Sequence, residues 1–240
     1  MGSVARSTAS PLSGGFYTVP EAVRLIKVGN EQRIRGWLQG YPDRPGPILL
    51  RDYQPIDKRQ ELSFLDLMEV RFVEQFREAG VKMRSLRHAA LRLREEFNLP
   101  HPFASDRVVL VADRADVFVE QVLKKSAEEE GDRTLLSLLT NNYTMYEAIK
   151  ESLLPGVRFQ QSTRLAKSWA PRPDEFPEIE INPLIAYGQP AIPEGVPTSV
   201  LYDDWRAENE DFDAVAYWHK LPTLSVKRAV EFENEIHRRH

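Results

Sequence analysis

The sequence predicts a mainly α, α+β protein with a winged helix–turn–helix at its N-terminus, a β-containing middle section and a C-terminal trihelical, helix–turn–helix-like domain. Three observations lead there. Two short amphipathic helical patterns, each with a capping residue, follow a small polar tail. β-Compatible runs interrupt the helical pattern near residues 47–56 and again near 108–119. A proline-dense stretch at 171–177 precedes three short helical segments.

The tail, residues 1–15, is Ser, Gly, Ala and Pro with nothing to bury. Thr18 is a good N-cap for the first helix and Pro20 sits in its first turn, where a missing N–H costs least. Ala22, Leu25 and Ile26 recur at helical spacing, and Gly29-Asn30 breaks the pattern. Asn30 caps a second helix with Ile34, Trp37 and Leu38 inward and Gln32, Arg33 and Arg35 outward. Pro47 to Arg51 and a weaker piece around Ile56 flank a turn-prone Asp52 to Pro55, which reads as a hairpin. Ser63, with Asp66 three residues on, opens a third helix whose apolar stripe is Leu65, Met68, Phe72, Phe76 and Ala79; Gly80 stops it. A fourth helix runs from about Met83 to Phe97, with Leu86, Ala90, Leu93 and Phe97 inward and Arg84, Arg87, Arg92 and Arg94 outward. These parts give a unit over 16–100.

Residues 101–170 form a β-containing connector. Val108 to Val111 and Val117 to Val119 suggest a second hairpin, Leu135 to Leu139 must pack on something, and Tyr146 to Leu154 fits helix or strand equally. Pro171 to Pro177 reads as a linker into the last unit, 171–240. There Ile179-Glu180-Ile181 alternates as a strand, and Thr198 and Thr223 are expected to cap the first and third of three helices, Thr198 to Arg206, Asp211 to Trp218 and Thr223 to about Ile236. Trp37 and Trp218 are assigned to the core; Trp169 and Trp205 are left open.

At 240 residues, 42% hydrophobic and 28% charged, the chain is long enough for one to two domains of roughly 150 residues and has ordinary globular composition. Mean hydropathy is -0.45. No run approaches the ~18 apolar residues of a membrane span, and the tail lacks a signal-peptide core. With Cys 0, disulfides, thiol nucleophiles and Cys-based metal sites are excluded, and a cytoplasmic location is expected. The net charge of -4 is uneven: residues 1–100 carry 16 Lys+Arg against 12 Asp+Glu, residues 101–240 carry 16 against 24. A basic first part suits a polyanion and an acidic second part a different task; the bland alternative is chance surface composition.

On the helix–turn–helix reading, Arg33 and Arg35 offer charge and a bidentate fork, Gln32 an amide able to read adenine, and Arg51, Lys58 and Arg59 phosphate contacts from the wing. The alternative is a basic solvated helix that touches nothing. Enzyme readings find little: there is no Gly-x-Ser-x-Gly, no Gly-rich phosphate loop and no His-Glu-x-x-His, and the five His are scattered. Asp203-Asp204 and Asp211/Asp213 fit helix starts better than metal ligands. No enzyme activity, metal or cofactor is expected.

Tyr17-Thr18-Val19-Pro20-Glu21-Ala22, followed by Ile34-Arg35-Gly36-Trp37-Leu38, resembles the opening of MerR-like DNA-binding domains. Leu62 to Val73 with Phe76 to Val81, His101-Pro102-Phe103-Ala104-Ser105, and Asn182 to Pro190 with Gly195-Val196-Pro197-Thr198 are more distinctive. Together they resemble a VapB-type antitoxin family that joins a MerR-like N-terminal domain to a small C-terminal helical domain. The resemblance covers most of 16–104 and 165–235. It departs at Lys27-Val28, where MerR-like domains have Gly before Val, in a Val28 to Trp37 spacing one residue longer than usual, and at Pro193-Glu194-Gly195, where relatives have Gly-Thr.

The resemblance implies an antitoxin that represses its own operon as a homodimer on operator DNA and inhibits a PIN-like (VapC-type) ribonuclease. Such toxins cluster acidic residues around a divalent metal, so a cationic finger is a natural plug. Candidates are Arg164, Lys167 and Arg172 with Trp169 as anchor, or the tail Arg238 and Arg239. The alternative for 164–172 is a plain interdomain linker with Trp169 packed on its own domain. The stripe Leu65, Met68, Phe72 and Phe76 is the expected dimer interface, with burial inside one chain as the alternative. A stand-alone MerR-like regulator and a structural adaptor are the competing functions.

Overall fold

The computed structural model describes residues 14–40, 46–53, 60–78, 82–98, 100–106 and 154–238. The polar tail, Lys58 and Arg59, Gly80, the β-rich runs between 108 and 119, the leucines of 135–139 and Arg239 lie outside these residues. The fold is mixed α and β, with helices and two small sheets.

The N-terminal helices begin where the sequence places them. Thr18 and Glu21 form a reciprocal capping box ahead of α1 (Val19–Ile26): Glu21 N donates to Thr18 Oγ1 at 3.4 Å and Thr18 N to Glu21 Oε2 at 2.7 Å. Asn30 caps α2 (Glu31–Gln39), its Oδ1 accepting from Gln32 N at 2.7 Å. Between them Lys27 takes the left-handed conformation at φ 63, which costs a residue with a Cβ on the order of 1 kcal/mol. Its ammonium lies 2.6 Å from Glu235 of the last helix.

The first piece of the expected hairpin, Pro47 to Arg51, is not a strand; the second, around Ile56, lies outside the described residues. Ile48 and Leu49 are both buried, so the segment does not alternate; it folds under the end of α2, where both backbone N–H groups donate to Trp37 O at 3.0 and 3.2 Å. The strand pair that forms is β1 (Tyr17–Thr18) with β2 (Glu61–Leu62), antiparallel. The returning chain is pinned by Arg87 and Arg94 of α4 (Met83–Phe97). Arg87 donates to Gly46 O and Pro47 O, and Arg94 to Ile48 O at 3.0 Å. These two arginines, expected outside, satisfy carbonyls that would otherwise be lost to water.

Ser63 and Asp66 form the expected capping box of α3 (Phe64–Glu78), with Asp66 N to Ser63 Oγ at 3.1 Å and Ser63 N to Asp66 Oδ2 at 3.0 Å. Every residue from Phe64 to Glu74 is buried, which makes α3 the central element of the fold. Leu65, Met68 and Phe72 are consumed by the chain's own core, and half-buried Phe76 stacks on Phe72 at 4.4 Å. The stripe therefore presents no free apolar face for a dimer, because Phe103 stacks on Phe72 at 5.0 Å and covers it.

Behind these helices, β3 (Val157–Phe159), β4 (Ala166–Trp169), β5 (Glu180–Ile181) and β6 (Pro190–Ala191) form an antiparallel sheet in chain order. Val157 pairs with Trp169, Trp169 with Ile181, and Ile181 with Pro190. The sheet straddles residues 170 and 171, and the proline-rich stretch is folded: Phe176 is buried, with the Arg228 guanidinium 4.3 Å from its ring. Helices α5 (Thr198–Ala207), α6 (Phe212–His219) and α7 (Thr223–His237) complete the chain. The N-cap positions of α5 and α7 are Pro197 and Pro222, one residue before the threonines expected there. Thr198 is instead buried, its hydroxyl within hydrogen-bonding distance of Pro190 O at 3.2 Å and of the buried Glu233 carboxyl.

Two contacts join the ends of the chain. The Tyr17 hydroxyl donates to Gly188 O, and a Cβ at Gly188, where φ is +82, would lie 2.5 Å from that hydroxyl. Arg172 donates through Nε to Glu235 at 2.9 Å and through Nη1 to Leu25 O at 2.9 Å, closing the C-terminus of α1 onto α7. Charge-assisted bonds of this kind contribute about 1.5–3 kcal/mol each. Replacing Arg172 by Ala is expected to lower unfolding stability in urea by about 2–3 kcal/mol, and Arg172→Lys to recover only part, since an ammonium cannot keep the forked geometry. An unchanged midpoint in Arg172→Ala would refute the clamp.

Candidate interaction surfaces and a buried charge cluster

The expected DNA-reading residues separate by burial. Gln32 is exposed, and Arg35 is half-exposed and linked to Glu31 one turn before it at 3.0 Å, an i,i+4 surface pair worth little and readily exchanged for another anion. With exposed Gln39 they line one face of α2. Arg33 points the other way: its Nη1 lies 2.6 Å from the buried Glu74 of α3 and braces α2 against the core. Arg51 is half-buried beside α3 rather than projecting from a wing. Local pattern cannot divide Arg33 from Arg35, because the division rests on Glu74, more than forty residues away.

The segment 164–172 is not a free cationic finger. Trp169 is 3% exposed in the middle of the sheet, with the Arg71 guanidinium 5.1 Å above its ring. Arg172 is held by Glu235 and by carbonyls of α1. Arg164 pairs with Asp106 at 2.9 Å, and its carbonyl accepts from Ser105 Oγ and Asp106 N. Lys167 is exposed. The anchor reading of Trp169 gives way to a core role because β3 and β5 flank β4 on both sides. Beside this segment a cleft of about 400 Å³ opens between α1, α3 and β4, lined by Lys27, Arg71, Trp169 and Arg172 and also by Asp174 and Glu175. Burial lowers the Arg71 pKa to about 10, so it stays a cation at neutral pH.

The distinctive motifs of α3 and of 101–105 meet at a buried imidazole. His101 Nε2 lies 3.0 Å from Asp52 Oδ1, and Nδ1 lies 3.3 Å from Glu69 Oε2 and 3.7 Å from Asp66 Oδ1. The other oxygen of Glu69 accepts from Phe103 N at 3.1 Å. Burial opposes charge on His101, but the hydrogen bonds to Asp52 and Glu69 override it and push its pKa up to about 10. Burial pushes the Asp66 carboxyl up to about 6, against the pull of His101. Among the described residues Asp52, Asp66 and His101 are also close enough to share a cation, within 4.8 Å of one another. A ring bonded to carboxylates through both nitrogens is an imidazolium, which has no lone pair to give a metal. The cluster is a charge latch. Sequence reading passed over it, since a lone His, an acid in a loop and two acids on α3 lie far apart in the chain and carry no joint spacing signal.

Sequence reading also missed an exposed aromatic face. Trp218, assigned to the core, is 69% exposed, and its neighbour Tyr217 is 79% exposed. Val215 and Ala216 turn inward in their place, so the two aromatics project together. Leu224 of α7 is 68% exposed, and Tyr187, on the turn before β6, is 90% exposed. No helix among the described residues is long and apolar enough to cross a membrane.

The latch carries a pH signature. His101 is raised from 6.5 to about 10 in the fold, so its stabilisation is full below pH 6.5 and is lost as pH rises through 10. Asp66, raised from 3.8 to about 6, acts in the same direction over a lower window, and its contribution is lost as pH rises through 6. Thermal melts of the parent should therefore fall steadily from pH 7 to pH 10, and His101→Gln should flatten that slope. His101→Ala, which leaves the carboxylates without their cation, should cost about 3–5 kcal/mol at pH 7. A parent melting profile that is level across pH 7–10 would show that no imidazolium is held there.

No family model matches this chain. Over 186 residues, 73% of this chain and 75% of the relative, it is 27% identical to a protein of Mycobacterium tuberculosis named "Putative antitoxin VapB45". The crystal structure of Rv2018 from Mycobacterium tuberculosis, 23% identical, superposes with a TM-score of 0.60 over 92% of this chain and 98% of that one, so the two share a fold.

Proposed function

We propose that this chain is the antitoxin of a type II toxin–antitoxin pair: it binds and inhibits a PIN-like, VapC-type ribonuclease and represses its own operon by binding operator DNA. The observation that carries the reading is the similarity to an antitoxin over about three quarters of both chains. The capped α1–turn–α2 pair, with Gln32, Arg35 and Gln39 on an accessible face, supports the DNA-binding half of it. Arg33 serves this face by fixing α2 rather than by reading bases. The homodimer that presents two half-sites is built outside the buried Leu65, Met68 and Phe72. On the toxin side Lys167 and Arg238 are the exposed cations of the original candidates, while Arg164 and Arg172 hold their own chain together. A stand-alone MerR-like regulator is the second reading, and the cleft beside α1, of a size that suits a small molecule, favours it.

Co-expression with the ribonuclease encoded beside it should restore growth that the ribonuclease alone abolishes; failure to restore growth with a folded chain would defeat the antitoxin reading. In gel shifts on the upstream promoter, Arg35→Ala should weaken specific binding by roughly 1–3 kcal/mol, as loss of a base-reading arginine does. Arg33→Ala should instead lower stability, by releasing Glu74. Absence of any shift at low salt, with or without the toxin, would remove operator binding from the proposal.

A further inference from the structure

We propose that the aromatic face of the C-terminal helices, centred on Tyr217 and Trp218 of α6 and Leu224 of α7, is the surface that grips the ribonuclease, and that it does so on the basic RNA-binding rim of that enzyme. This rests on the antitoxin reading and names the contact within it. Large apolar side chains rarely stand together in water without a use, and Trp and Tyr are the residues that most often dominate a protein interface.

The face is continuous and rigid. Thr223 Oγ1 bonds Asp213 Oδ1 at 2.9 Å, one turn below Tyr217, and joins α6 to the start of α7. Ser225, beside Leu224, bonds Glu194 at 2.8 Å, and Ile185, 43% exposed, packs toward Gly195 next to Glu194. Ile185 leads into the turn that carries Tyr187. Ala186 and Tyr187 both hold left-handed backbone, at φ 49 and 54, and the Tyr17 hydroxyl bonds the Gly188 carbonyl behind them. Turn hydrogen bonds from Gly188 N to Ile185 O at 2.9 Å and from Gln189 N to Ala186 O at 3.0 Å hold this backbone and leave the Tyr187 side chain almost wholly in solvent. A face ordered in advance binds with less entropic cost.

Charge decides the occupant. Residues 171–240 carry 7 Lys+Arg against 14 Asp+Glu. Of the nearby cations, Arg206 pairs with Glu210 at 2.7 Å and Arg228 with Glu178 at 2.6 Å, Lys227 lies 5.6 Å over the Phe212 ring, and Lys220 stands exposed two residues after Trp218. Asp211, Asp213 and Glu194 stand exposed around the aromatics. Pairing this face with itself in a second copy sets like charge against like. Residues 107–153 of the chain are acidic too, with 6 Lys+Arg against 9 Asp+Glu. A separate protein with a basic surface fits. A ribonuclease carries one by necessity, since it must hold a phosphate backbone, whereas its metal site is acidic and would repel this face.

The test uses the full chain and the co-expressed ribonuclease, with binding measured on purified proteins and growth as the second readout. The variants are Trp218→Ala with Leu224→Ala, and Leu91→Ala, an exposed apolar residue of α4, as control. The expected result is an unchanged thermal melt, a tenfold or larger rise in Kd and lost neutralisation in the double variant, and no change in the control. Binding by the parent should also weaken from roughly 0.05 to 0.5 M salt, as charge steering does. If the parent neutralises and the double variant does so equally well, the surface is wrong and the antitoxin reading stands. If light scattering finds a parent dimer that the double variant abolishes, a second copy is the occupant and the proposal is overturned. A parent that neither binds nor neutralises the ribonuclease removes both.

Discussion

A single imidazolium organises this fold. His101 lies buried with Asp52 on one ring nitrogen and Glu69 and Asp66 beside the other. Three carboxylates at such a site are prohibitive unless a cation is present and at least one acid is close to protonation, and Asp66, raised to about 6, is that acid. The cluster ties three separate stretches together: the chain returning from α2, the helix α3 and the turn at 101–105. Ser105 carries the connection onward, bridging to Leu165 at the start of β4. The latch is thus one of the links between the helices and the sheet, beside the Arg71–Trp169 contact and the Arg172 clamp.

Among the described residues, several of the basic side chains that a surface reading would hand to DNA or to a toxin are used inside the molecule. Arg87 and Arg94 hold carbonyls of the 46–48 segment, Arg33 holds Glu74, and Arg172 holds Glu235 and the end of α1. An arginine does this well because its five donors satisfy several acceptors at once in fixed geometry. The consequence is that the excess of basic residues in the first hundred is only partly a field presented to a polyanion. What stays outward on α2 is a narrow row, Gln32, Arg35 and Gln39, fixed from behind by Trp37, Leu38 and the Arg33–Glu74 pair.

The two ends of the molecule carry contrasting surfaces on one frame. The α2 row is polar and cationic; the α6–α7 face is aromatic and acidic. The Tyr17–Gly188 bond and the Arg172–Glu235 clamp lock the element before α2 to the elements around α7, so the surfaces keep a fixed relation to each other.

Local chemistry alone determined the helix starts and their order. Thr18 with Glu21, Asn30, and Ser63 with Asp66 each satisfy the free N–H groups of a helix end within three residues, so the short-range sequence suffices to place them. The strand at 180–181 and the three C-terminal helices were legible from their periodicity and breakers, while the caps expected at Thr198 and Thr223 fell one residue earlier. Tertiary structure decided what depends on distant partners. Whether Ile48 and Leu49 form a strand turned on the carbonyl of Trp37 and the arginines of α4. Whether Trp169 or Trp218 is the buried one turned on which lies between two strands. Whether Arg33 or Arg35 is free turned on Glu74, and the charge latch exists only because Asp52, Asp66, Glu69 and His101 are brought together from loops and helices up to 49 residues apart. Periodicity records which face of an element is apolar; it does not record what that face, or a charge beside it, will meet.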